Sequence, residues 1–426
     1  MKAIVVIFSL FVSSLNLAQD YTEFLTGNPN DVTVNPNFGI CLMGGATEND
    51  NAMTWFLNKA NGGDVVVLRA TGSDTYNDYF YSQLGVTLNS VRTFVIASAE
   101  GATHPYVLDK INKAEAIWIA GGNQLNYISF FKDNAMEDAL NNFINNKGGV
   151  IGGTSAGMAI LGSAYFTAEN GTVLNEDALQ NPYAPEVTLG YNDFLNIPFL
   201  NQTITDTHYD NPIRNSRHSV FLARYASDNN SIVFGLACEE FTAVCINDEG
   251  RAFVFGDYPS FNDFAYFIQT NCTNEFLPET CLPNQPLTWN RNNEALKVYK
   301  IPGTANGENY FELSTWQVGT GGVWQNWYVD NGVFYNNDAA QPNCFNLSGS
   351  EISWKQVSIF PNPSSEVIFI ESLPLVAKVE IFDLQGKAYD FTLLDNAINI
   401  TQLNSGFYLL KISDWKRTKV FKFLKK

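Results

Sequence analysis

Residues 150–162 read VIGGTSAGMAILG. Two apolar residues run into Gly-Gly-Thr-Ser-Ala-Gly, and an apolar, helix-like pattern resumes at once. The centre, Gly153-Thr154-Ser155-Ala156-Gly157, fits G-x-S-x-G, a turn that lifts a serine out of a strand and into the start of a helix. Glycine is needed on both sides, because the nucleophile's backbone is strained and a neighbouring Cβ would collide with the strand or helix beside it. Upstream, GICLMGG (39–45), DVVVLRA (64–70), VRTFVIAS (91–98), AIWIAGG (116–122) and GGVIGG (148–153) read as buried strands separated by helix-like stretches. That alternation predicts βαβ units and a parallel sheet covered on both faces, with ligands at the carboxyl ends of its strands. Three of the strands end in glycine pairs, Gly44-Gly45, Gly121-Gly122 and Gly152-Gly153, at the edge where Ser155 would stand.

The chain has 426 residues, 45% hydrophobic and only 16% charged, which predicts more than one folded domain. A net charge of −18 argues against nucleic acid or an anionic membrane as partner. The opening MKAIVVIFSLFVSSLNLA, residues 1–18, reads as a secretory signal peptide, so the mature protein is expected to be exported. Export permits disulfides among the six cysteines. Cys272 and Cys281, flanking a loop with Pro278, are the expected pair. Cys238 and Cys245 either pair or pack, and Cys41 reads as a small core residue. None has metal-ligand spacing with a histidine, so neither a metal nor a cofactor is expected.

Residues 19–285 form the expected α/β domain, closed by the strand-like run 231–256. Residues 286–349, rich in Trp, Tyr and Gly, read as a β extension of it. From 350 to 426 apolar and polar residues alternate between turns, the pattern of a small β-sandwich. Its end is basic: six of the chain's 25 Lys and Arg lie in the last twelve residues.

A serine hydroxyl needs a base, and the chain offers His104, His208 and His218. His104 precedes Pro105 and reads as a helix cap. His208, in TITDTHYDN, should end a strand at the sheet's ligand edge. His218 falls in a helix and reads as exposed or partner-facing.

GGNQLNYISFF, GGVIGGTSAGMAILGS and TDTHYDNPIRNSRHSVFLAR, in this order, resemble the cyanophycinase-like serine peptidases of family S51. The resemblance implies a flavodoxin- or class I glutamine-amidotransferase-like fold with helices on both faces of a parallel sheet. It also implies cleavage of aspartyl linkages, either in short peptides or in the β-aspartyl-arginine polymer cyanophycin, and relatives that are often dimers. Carried over, Ser155 is the nucleophile, His208 the base, and Gln124 and Asp206 substrate contacts. Glu176 is the chosen acid, with Glu169 and Asp177 competing. Backbone N–H groups at Ala156 and in the Gly122-Asn123 turn are the expected oxyanion donors. Cyanophycin-cleaving members carry arginines four, six and nine residues after the histidine; here Pro212, Arg214 and Arg217 stand there, so two substrate clamps are expected.

PNPSSE, VEIFDLQGK and NSGFYLLKI resemble a type A sorting domain of the type IX secretion system, which implies the secretion machinery as a partner and a secreted or surface location. The competing expectation is a catalytically inactive binding or adhesion protein on the same fold.

Overall fold

The apolar runs become strands with both faces buried, which is why they read as continuous rather than alternating. A computed structural model describes residues 20–426 except 274, 343, 345–356, 372–377, 390, 392, 395 and 414–417. The expected signal peptide lies outside the described residues. In chain order the first strands are β1 (Tyr21–Gly27), β2 (Gly39–Met43), β3 (Asp64–Arg69), β4 (Ser90–Ile96), β5 (Ala116–Ile119) and β6 (Val150–Thr154). Helices α1 (Asp50–Lys59), α2 (Thr75–Asp78), α3 (Ala99–Ala102), α4 (Pro105–Lys113), α5 (Gln124–Phe131) and α6 (Ala135–Asn142) connect them. Asn49, Ser98, His104, Asn123 and Asn134 cap α1, α3, α4, α5 and α6 by accepting backbone N–H groups.

Strands β4, β3, β5, β6 and β2 lie side by side and parallel. Successive residues serve opposite cores. Ile40, Leu42, Val66, Leu68, Ile117 and Ile119 face the α4–α6 side, whereas Cys41, Met43, Val65, Val67 and Trp118 face α1.

After β6 come α7 (Ala156–Ala159), β7 (Ala164–Phe166), α8 (Asn175–Gln180), β8 (Leu189–Tyr191), β9 (Thr203–Asp206) and the long α9 (Asn215–Asn229). Strands β10 (Phe234–Cys238), β11 (Ala243–Ile246), β12 (Arg251–Phe255) and β13 (Phe264–Thr270) follow. The expected extension supplies β14 (Leu296–Pro302), β15 (Asn309–Glu312), β16 (Gly319–Thr320), β17 (Val323–Asp330) and β18 (Val333–Asp338). Its strands enter two sheets. One has ten strands, β1-β4-β3-β5-β6-β2-β11-β12-β15-β16; the other has eight, β18-β17-β14-β13-β10-β9-β7-β8. Leu236, Ala265 and Phe267 of the second sheet share a core with Val244, Val254 and Phe311 of the first, and α9 covers the second sheet's other face. The β10–β11 connection therefore crosses from one sheet to the other.

Beyond residue 357 two antiparallel four-stranded sheets enclose a separate core of Ile368, Ile370, Ile381, Ile398, Leu410, Ile412 and Phe423. This is the β-sandwich that the alternating pattern predicts.

The cysteines correct the sequence reading. Cys272 pairs with Cys344, 72 residues further on, and Cys281 is a buried free thiol. Cys41, Cys238 and Cys245 are buried and unpaired. Sequence proximity favoured the nearer cysteine, but the β13–β14–β17–β18 pairing carries the end of the extension back to the end of β13. Closing a loop this long removes unfolded-state entropy worth about 2–5 kcal/mol. Urea unfolding should therefore show a loss of that order for Cys272→Ser with Cys344→Ser, while Cys281→Ser leaves the response to reductant unchanged.

Candidate active site

Three consecutive carbonyls at the end of β2 gather the site. Met43 O accepts the Ser155 N–H (3.1 Å), Gly44 O the His208 N–H (2.8 Å) and Gly45 O the Phe241 N–H (3.1 Å). Gly45 holds φ +122, and a Cβ there would lie 2.4 Å from the His208 ring, so only glycine lets the imidazole sit against the turn.

Ser155 stands between β6 and α7 at φ 51 and ψ −117, a conformation that costs an L-residue about 1–3 kcal/mol. The surroundings enforce it. A Cβ on Gly157 would meet the Ile119 carbonyl oxygen at 2.0 Å, so α7 can press against β5 only with glycine there. The turn after β5 passes beside the serine, with the Cβ position of Gly121 3.4 Å from Ser155 Cβ.

Ser155 Oγ lies 2.8 Å from His208 Nε2, and His208 Nδ1 lies 2.6 Å from Glu240 Oε1. An ionised carboxylate only accepts, so Nδ1 carries the proton and Nε2 is left to receive one from the hydroxyl. Asn211 Nδ2 donates to the second Glu240 oxygen (3.2 Å), and the Glu240 N–H donates to Asp210 Oδ1 (2.9 Å). The His208 hydrogen bond, helped by Asn211, holds the Glu240 carboxyl below its ordinary pKa. Its neighbour Glu239 turns the other way, accepting from Tyr266 Oη (2.7 Å) and the Phe264 N–H (2.9 Å), and burial pushes its carboxyl up to about 7.

Glu240 replaces the acid chosen from sequence. Glu176 stands exposed in the first turn of α8, and Glu169 and Asp177 are exposed as well. The reading missed Glu240 because proximity after the serine turn was weighed and the crossing from β10 to β11 was not. A Glu-Glu pair at the end of an apolar strand was the available signal.

Asp206 and Arg217, read as substrate contacts, hold each other instead. Arg217 Nε and Nη2 reach the two Asp206 oxygens at 2.9 and 2.5 Å, and both side chains are buried. Burial raises the Asp206 carboxyl, but the Arg217 charge outweighs it and keeps the group ionised. Arg214 is different. Its Nη1 donates to Thr207 O (3.0 Å) and lies 3.9 Å from Asp206 Oδ1, a looser pairing than that of Arg217, and its buried Nε has no hydrogen-bond partner among the described residues. Gln124 opens α5 and donates Nε2 to the Phe166 carbonyl, tying the β5 turn to β7. Gly122 and Asn123 form that turn, and Ala156 is the first residue of α7.

His218, expected at the surface, is fully buried in α9, with Nδ1 3.1 Å from Tyr209 Oη and Nε2 3.1 Å from Ile204 O. Burial lowers its pKa from 6.5 to about 4. Between these values the unfolded chain holds the proton that the folded chain rejects, so stability is present above the upper value and is lost as pH falls.

Two outcomes follow from this geometry. Glu240→Gln should slow fluorophosphonate labelling of Ser155 by on the order of 10³–10⁴-fold, whereas Glu176→Gln should leave the rate unchanged. Because the raised Glu239 carboxyl acts in the opposite sense over this range, the readout is a difference: between pH 7 and pH 5 the stability of the wild-type chain relative to His218→Gln should fall by on the order of 2 kcal/mol in urea unfolding.

Residues 43–253 match the sequence profile of peptidase family S51, and residues 358–426 match that of the secretion system C-terminal sorting domain. Among solved structures, a peptidase from an acI-B1 Actinobacterium is 12% identical, with a TM-score of 0.38 over 52% of this chain and 89% of its own. A candidate peptidase E protein from Listeria monocytogenes EGD-e is 16% identical, with a TM-score of 0.34 over 52% of this chain and 99% of its own. No curated protein matches the chain. The α/β region at residues 43–253 is thus similar to peptidase family S51, and residues 358–426 are similar to the secretion system C-terminal sorting domain.

Proposed function

We propose that this chain is a secreted serine peptidase that hydrolyses aspartyl peptide bonds through an acyl-enzyme on Ser155. The observation that carries the reading is the unbroken line from Ser155 Oγ through the His208 ring to Glu240, at 2.8 and 2.6 Å. As Oγ attacks the scissile carbonyl carbon, His208 Nε2 takes its proton, and the Glu240 carboxylate stabilises the imidazolium. The carbonyl oxygen becomes an oxyanion, received by the N–H groups of Ala156 and the Gly122-Asn123 turn; each such donor is worth roughly 3 kcal/mol of barrier. The C–N bond then breaks as Nε2 returns the proton to the leaving amine. Water repeats the sequence: Nε2 takes a proton, hydroxide adds to the acyl carbon, and Oγ leaves with the proton returned.

Arg214 is the substrate's carboxylate anchor in this reading. Its guanidinium is one-fifth exposed and only loosely paired with Asp206, so its open edge is where an aspartyl carboxylate would dock, beside the residue that precedes the base. Arg217 is held by Asp206 through two hydrogen bonds, Arg214 meets the same carboxylate only at 3.9 Å, and Pro212 has no charge, so Arg214 is the one clamp left to substrate where cyanophycin-cleaving relatives have three. That favours short aspartyl peptides over the polymer.

Purified protein should be incubated with aspartyl dipeptides, a β-aspartyl-arginine dipeptide and cyanophycin. Ser155→Ala should lower turnover on the order of 10⁶-fold. Arg214→Ala should raise KM for aspartyl peptides by roughly 10–100-fold, two buried charge-assisted bonds being lost. Equal activity in Ser155→Ala overturns the nucleophile, and a folded protein that cleaves nothing selects the inactive binding protein.

A further inference from the structure

Two large apolar side chains stand in water on the loops that carry Glu240 and Arg214. Phe241, directly after Glu240, is 48% exposed and holds φ +62, a backbone conformation that bulky residues rarely adopt. Ile213, directly before Arg214, is 62% exposed. Neither joins the domain's buried cores. An aromatic ring held in a disfavoured conformation so as to face solvent does nothing for the fold.

Their loops are fixed to one another and to the site. Asp210 accepts the Glu240 N–H at 2.9 Å, Asn211 reaches the same glutamate's carboxylate at 3.2 Å, and Asp210 pairs with Ile213 across the turn. The Phe241 N–H is held by the carbonyl of Gly45, whose Cα faces the imidazole. On the far side the Ile213 carbonyl accepts from Asn175 Nδ2, next to the exposed Leu174.

The leaving amine must meet His208 Nε2 to receive its proton, so the residue carrying that amine passes the imidazole towards these loops. We propose that Ile213 and Phe241 form an apolar ledge for the residue on the leaving-group side, so that aspartyl peptides with a large apolar residue after the aspartate are preferred substrates. The inference rests on Ser155 acting as the peptidase nucleophile. It identifies the occupant by its continuity with that site: an apolar side chain attached to the amine that His208 protonates covers both exposed residues, which a hydrated guanidinium would leave wet.

The test compares kcat/KM for Asp-Leu, Asp-Ala and Asp-Arg in the wild-type chain, Phe241→Asn and Ile213→Ser. Asparagine tolerates the left-handed backbone and exchanges the apolar ring for a small carboxamide. Fluorophosphonate labelling of Ser155 in each variant reports that the site is assembled. The wild type should favour Asp-Leu over Asp-Ala by about tenfold, with Asp-Arg no better than Asp-Ala, and the Leu/Ala ratio should fall towards one in both variants. A flat ratio in an active wild type, a preference for Asp-Arg, or a ratio that survives both substitutions overturns the ledge while leaving the peptidase intact. No cleavage and no labelling in the wild type overturns the peptidase reading and the ledge with it.

Discussion

The site depends on the run Met43-Gly44-Gly45, where one strand stops and three other segments hang from its carbonyls. Ser155 comes from the neighbouring parallel strand, His208 from just beyond β9 in the other sheet, and Glu240 from the chain that crosses between the sheets. No pair of these is local in sequence. Backbone hydrogen bonds fix their relative heights before any side chain is placed, so the imidazole needs only its rotamer to bridge a hydroxyl and a carboxylate. Arg217 and Asp206 serve the same end from below, since their buried pair locks the first turn of α9 against the segment that precedes His208.

Adjacent identical residues acquire opposite characters here. Glu239 faces inward, capped by a phenol and a backbone N–H, and its carboxyl is raised by burial. Glu240 faces the crevice, receives an imidazole N–H, and stays ionised. One peptide unit of rotation at the end of β10 separates a structural acid from one able to orient a base.

The parallel sheet and the serine turn were legible because their signals are short: apolar runs for strands buried on both faces, and glycines packed around one strained residue. The tail was legible from its alternation for the same reason. What escaped were consequences of register and face. Nothing local distinguishes Glu240 from Glu239, or from Glu176, until the β10–β11 crossing is known. His218 looked like a surface residue because α9 carries Arg, Ser and Asn on several sides, yet its buried face is the one lying on the second sheet. Arg217 read as a clamp by spacing, and its partner Asp206 read as a second contact; each reading overlooked that two opposite charges eleven residues apart can satisfy each other.

The pairing of Cys272 with Cys344 ties off the large body before the sandwich begins. The covalent knot includes both ends of the added strands and excludes everything from residue 358 onward. Whether the tail is kept as a tether or shed on arrival, that covalent closure stays whole, because both of its sulfurs lie on the body's side of the junction.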